Sequence, residues 1–162
     1  EEWYSKVISV RGEEKGLKYF RELVAKNGMS ARLGASLLHN LVIAGEVPMA
    51  LTVYIDLPEK DKRAGKPVDW FALDPVVAQG FNVSIAQKAQ HPHAALLFYD
   101  YMLSAETQKL LASLHYYPAN TKITNPYPNM KIEVIDPVIT MDTFGKWTKS
   151  FDDVVIKNSS SK

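Results

Sequence analysis

The sequence contains no cysteine, which excludes disulfide frameworks, thiolate nucleophiles, thiolate-bound zinc and iron–sulfur clusters. A cysteine-free chain suits a reducing or an oxidising compartment equally, so this absence does not locate it. No apolar run approaches the roughly 20 residues of a spanning helix. The first residues, Glu1-Glu2-Trp3-Tyr4, form neither a basic nor an apolar leader segment, and any targeting signal is expected outside this chain. Charge of one sign is lacking as well. Nineteen Lys and Arg stand against 18 Asp and Glu, a net charge of +1, so no field gathers phosphate backbones and nucleic acid is not an expected partner. GxGxxG, the phosphate-binding GxxxxGK[ST], the GxSxG elbow and HExxH are all absent, and Ser84 and Ser113 carry no marks of an activated nucleophile. No enzyme is expected, and no cofactor.

What is present is ordinary globular material. The 162 residues, 46% hydrophobic and 23% charged, can bury one substantial core or two small lobes sharing a junction. Leu17, Phe20, Leu23 and Val24 predict an amphipathic helix over 13–27, closed by Asn27-Gly28. Ser36 is expected to cap a second, largely buried helix carrying Leu37, Leu38, Leu41 and Val42, which Gly45 ends in a left-handed conformation. The β-branched and aromatic run from Val47 predicts a strand over 48–55. Alternation along it sends Met49, Leu51, Val53 and Ile55 to a core and Thr52, Tyr54 and Asp56 to the other face.

Pro58 fits the first turn of a short charged helix through Arg63, followed by a strand at 67–71, a loop at 73–80 and a third strand at 81–86. Two helices are predicted at 92–103 and 105–114, the second capped by Ser104. Pro118, Pro126, Pro128 and Pro137 make 117–137 a connector with a short extended piece near 131–135. A last helix is expected over 142–155 and a frayed tail over 158–162. Alternating helices and strands give an α/β fold class.

Few groups suggest chemistry. His91 and His93 flank a proline that commits them to a helix start, and read as exposed or capping histidines. His39 and His115 have no carboxylate at ligand spacing. Tyr116-Tyr117 offers two hard phenolate donors for ferric iron, or two rings packed around Pro118. Thr52, Tyr54 and Asp56 at the end of the first predicted strand are ligand-contact candidates, because sites in α/β folds lie beyond the carboxyl ends of strands. Asp74, with Trp70, marks the end of the second predicted strand and completes the candidate set.

Four ordered segments carry a family resemblance: Leu41-Val42-Ile43-Ala44-Gly45-Glu46-Val47 leading into Ala50-Leu51-Thr52-Val53-Tyr54; Ala64-Gly65-Lys66-Pro67-Val68-Asp69-Trp70; His91-Pro92-His93-Ala94-Ala95 with Phe98-Tyr99-Asp100-Tyr101-Met102-Leu103-Ser104; and Tyr117-Pro118-Ala119. In this order they resemble the bacterial extracellular solute-binding proteins of the ferric-iron, spermidine and thiamine-binding kind. The resemblance implies a periplasmic-binding-protein type II-like α/β fold, here the second lobe with crossover elements of the first. Residues 1–80 would form the second-lobe core. Residues 81–125 would return to the first lobe as two helices, and 126–162 would cross back with the C-terminal helix.

The implied function is the substrate-binding component of an ABC importer, which closes two lobes over a small solute and docks on a membrane permease. Alternatives are a ferric-iron carrier, or a carrier of an iron chelate, and a sensory ligand-binding ectodomain. The implied location is the periplasm or another extracytoplasmic site, as a cell-surface lipoprotein in a Gram-positive cell. Iron-binding relatives place two adjacent tyrosines where this chain has Tyr54-Ile55-Asp56, so the residues predict no metal site. A chain holding one wall of a cleft would expose apolar surface open to self-association.

Overall fold

The computed structural model describes residues 2–159. They form two compact units, one from residues 2–38, 72–80 and 131–159 and the other from residues 39–71 and 81–130.

The first unit holds helices α1 (Glu2–Arg11) and α2 (Glu13–Asn27), strands β1 (Val76–Ala78) and β2 (Ile132–Val134), and α7 (Pro137–Val154); α3 (Ala35–Ile43) begins in it. Gly12, at a φ of 82°, reverses the chain between α1 and α2, a conformation that costs glycine little. Tyr4, Ile8, Phe20 and Val155 are fully buried, each such side chain gaining roughly 1.5–3 kcal/mol from leaving water. The Tyr4 ring lies 4.6 Å from Phe20 and 5.3 Å from Phe151. Its hydroxyl shares a 3.0 Å hydrogen bond with Ser150 Oγ. The two strands pair in parallel, Val76 with Ile132 and Ala78 with Val134, and Val77 packs against the aromatic core.

The second unit holds the end of α3, α4 (Asp56–Arg63), α5 (Pro92–Leu103) and α6 (Ala105–Ser113). Its buried residues include three polar ones, His39, Thr107 and Gln108, each with a hydrogen-bond partner. His39, only 4% exposed, places Nε2 2.8 Å from Asp61 Oδ2, which ties α3 to α4. Gln108 donates to the Met102 carbonyl at 3.0 Å and accepts from the Ala119 and Asn120 amides, which pins the chain after α6. Ser104 caps α6 by accepting from the Thr107 amide at 3.2 Å, as the sequence predicts.

Several expectations need correcting. No strand forms at 48–55, 67–71 or 81–86 among the described residues. Thr52 adopts a φ of 65°, which breaks any extended run there. Alternation survives without pairing, with Leu51, Val53 and Ile55 half-buried and Thr52 and Tyr54 exposed. Met49, however, is exposed and Asp56 is half-buried, against the predicted faces. The mixed helix and strand content of an α/β protein is present, with β1 lying inside the predicted loop at 73–80 and β2 where an extended piece is predicted.

Helix α3 is not largely buried, since His39 alone of its residues is buried. Its end is as predicted: Gly45 at a φ of 72° bonds back to the Val42 carbonyl and Glu46 to the Leu41 carbonyl, a Schellman turn. The last helix starts five residues before its predicted position, at Pro137 rather than residue 142. Pro137 is the first helical residue and Asp136 caps it by accepting from the Val138 and Ile139 amides, so this proline starts a helix rather than ending a connector. Helix α1 was not predicted. Of the expected tail, residues 160–162 lie outside the described residues. Ser159 is tied down, donating to the Met29 carbonyl and accepting from the Ala31 amide.

Candidate functional site

The site grows from two chain turns in the second unit. The segment after α3 runs through Thr52 and Tyr54 into α4, whose first turn contains Asp56. A carboxylate there meets the positive end of the helix dipole, a modest stabilisation. The second turn ends α6. His115, at a φ of 71°, bonds to the Ala112 carbonyl and Tyr116 bonds to the Leu111 carbonyl. This is again a Schellman arrangement, here with a histidine in the position glycine favours. It aims Tyr116 back across the unit, where its hydroxyl donates to Asp56 Oδ2 at 2.9 Å.

Phe81 joins the two. Its ring lies 5.8 Å from Tyr54 at 57° and 6.1 Å from Tyr116 at 80°, tilted and edge-to-face contacts favoured by the ring quadrupoles. Phe81 is 71% exposed and Tyr54 44%, so two of the three rings face solvent, while the third, Tyr116, holds the Asp56 carboxylate on its hydroxyl. The Tyr116 phenol is pushed up from its usual value, first by its hydrogen bond to Asp56, then by burial and by the Asp56 charge.

A second aromatic cluster adjoins in the same unit. Tyr127 packs edge-on to Trp70 at 5.6 Å and is stacked with Tyr117 at 6.3 Å. Tyr117 donates to the Tyr127 carbonyl at 2.7 Å. The Tyr116-Tyr117 pair therefore splits, one phenol to Asp56 and the other to a backbone carbonyl, and does not converge on a single ion in this arrangement. Trp70 Nε1 donates to Glu59 Oε2 at 2.8 Å and Arg63 Nε to Glu59 Oε1 at 2.7 Å. These bonds, Arg63 first, hold the Glu59 carboxyl below its ordinary range. The buried Tyr127 hydroxyl has no hydrogen-bond partner among the described residues, and burial, followed by the Glu59 charge, pushes its phenol up.

The four sequence candidates thus separate. Tyr54 and Asp56 come together through Phe81 and Tyr116. Thr52 is exposed and strained at positive φ beside them in sequence. Asp74 is exposed, precedes a cis Pro75, and belongs to the first unit, whereas Trp70 belongs to the second. Phe81 and Tyr116 were not among the candidates. In sequence Phe81 starts a strand-like run and Tyr116 is half of a phenol pair, and the Tyr116–Asp56 contact spans 60 residues.

An open groove of about 630 Å³ lies elsewhere in the second unit, with Val42, Val47, Pro48, Pro67 and Trp70 in its lining. Its carboxylate, Asp69, is already held by Lys62 at 2.6 Å, and none of the four candidates lines it. An open groove whose charged side chain and indole N–H are already engaged offers little orientation to a solute, so the aromatic–carboxylate cluster is the stronger candidate. His91 and His93 are exposed at the start of α5, and no three His, Asp or Glu side chains are grouped to hold a metal ion among the described residues. No described helix is long and apolar enough to cross a membrane.

Comparison with known proteins gives one finding of family. The model of the bacterial extracellular solute-binding proteins matches residues 2–143. No curated protein and no solved structure matches the chain.

Proposed function

This chain belongs to the bacterial extracellular solute-binding proteins, a family that binds solutes for transport outside the cytoplasm, and we propose that it is the substrate-binding component of an ABC importer. In this reading it captures a small solute and hands it to a membrane permease. The observation that carries the proposal is the family match over residues 2–143. The clustering of Tyr54, Asp56, Phe81 and Tyr116 in one unit supports the location of the solute wall, with exposed Thr52 flanking it.

The chemistry of such a wall is recognition rather than turnover. Aromatic rings supply area with little entropy loss on binding, and a carboxylate fixes orientation. No residue in the cluster pairs a nucleophile with a base. A binding protein is stabilised by its own solute in proportion to the logarithm of solute concentration over Kd. Thermal melts across iron chelates, polyamines, thiamine and phosphonates should therefore single out one class by a raised Tm. A flat response to every class would count decisively against the proposal.

A further inference from the structure

We infer that the solute is an organic cation, seated on the Tyr54, Phe81 and Tyr116 rings with Asp56 as its counter-charge; the inference rests on the solute-binding reading above. It starts from a comparison of carboxylates. Between residues 56 and 69 the chain carries Asp56, Glu59, Asp61 and Asp69. Glu59 is paired with Arg63 at 2.7 Å, Asp61 with Lys66 at 2.9 Å and with His39 at 2.8 Å, and Asp69 with Lys62 at 2.6 Å. Asp56 alone has no basic side chain on it among the described residues. Its hydrogen-bond partner is a neutral phenol. It is half-buried, with only that phenol and the start of α4 to offset its charge.

The rings beside it are of the kind that complements a cation. Phe81, exposed on the surface, lies against both tyrosines, and aromatic faces attract ammonium groups through their quadrupole. An anionic solute placed on these rings would meet Asp56 as a like charge. A neutral solute would stack but leave Asp56 without a counter-charge. An organic cation satisfies the rings and the carboxylate together.

Isothermal titration calorimetry of the chain tests this with two cationic probes, choline and ethylenediamine, and with the uncharged analogue of choline that has carbon in place of nitrogen. At least one cation is expected to bind, with the uncharged analogue at least about fivefold weaker than choline if choline is the binder. Asp56→Asn keeps an acceptor for Tyr116, so the fold is expected to hold while cation binding falls toward the level of the uncharged analogue. Phe81→Leu, at an exposed position, should weaken the cation severalfold and leave Tm unchanged. The inference is overturned if the charged and uncharged forms bind equally. It is also overturned if neither probe binds and only anionic or neutral solutes raise Tm, a result that leaves the solute-binding reading standing. A chain that responds to no solute of any class overturns both.

Discussion

Asp61 links two elements through one side chain, accepting Lys66 on Oδ1 at 2.9 Å and meeting His39 Nε2 with Oδ2 at 2.8 Å. The Lys66 bond first, and the His39 bond second, hold its carboxyl below the usual aspartate range. A group whose folded-state value lies below its unfolded value stabilises the fold above the ordinary range, about pH 4, and loses that contribution as pH falls through the folded value. Asp61→Asn should therefore lower Tm at neutral pH, and the gap to the parent chain should close on acidification. Melts recorded in both regimes decide it, and a gap that widens in acid would refute the assignment. The sequence offered no view of this pair, because His39 and Asp61 stand 22 residues apart and only the fold brings them together. Tyr54 and Asp56 were legible because they lie close in sequence on one polar stretch. Their partners Phe81 and Tyr116 were not. The contact depends on His115 adopting a left-handed φ of 71°, and nothing in a histidine announces that.

Elements were legible where local chemistry decides them and illegible where pairing does. Helix α5 starts at Pro92 and α6 at Ala105, both as the proline and the Ser104 cap predict, because a cap or a fixed φ acts within one turn. The run Val47–Ile55 has every residue preference of a strand, yet such preference reflects packing against a neighbouring strand, and none is paired there. Three-residue β1 and β2 do pair, across 56 positions of sequence between Val76 and Ile132. The crossing of α1 and α2 turns on a single atom. A Cβ at Gly16 would stand 2.6 Å from Ile8 Cα, a backbone atom that cannot swing aside. Gly16→Ala should push the helices apart and cost about 1–3 kcal/mol, the usual penalty of overpacking. Urea denaturation reads this directly, and a variant as stable as the parent would mean that the two helices are not so closely crossed.

At the scale of the molecule the two units are built on different physics. The first closes around an aromatic cluster of Tyr4, Phe20, Trp147 and Phe151 with Ile8, Val24 and Val155. The second buries His39, Thr107 and Gln108 and keeps its shape through directed hydrogen bonds, while α5 has no buried residue and leaves Leu97 and Phe98 exposed. A helix so apolar on all sides ordinarily lies within a core, and exposed it contributes little to holding its unit closed. Apolar burial contributes most of folding free energy and a net hydrogen bond about 1 kcal/mol, so the second unit should open at lower cost than the first. Native-state hydrogen exchange resolves opening segment by segment. Amides of α2 around Phe20 and Val24 should exchange slowest, and those of α5 markedly faster. Equal protection in α2 and α5 would show that the units unfold as one and that the polar network of the second is worth as much as the aromatic core of the first. The expected order has a consequence for function: the unit carrying Tyr54, Asp56, Phe81 and Tyr116 is the one with stability to gain from a bound solute, so ligand should slow exchange in α4 and α6 before it affects α2.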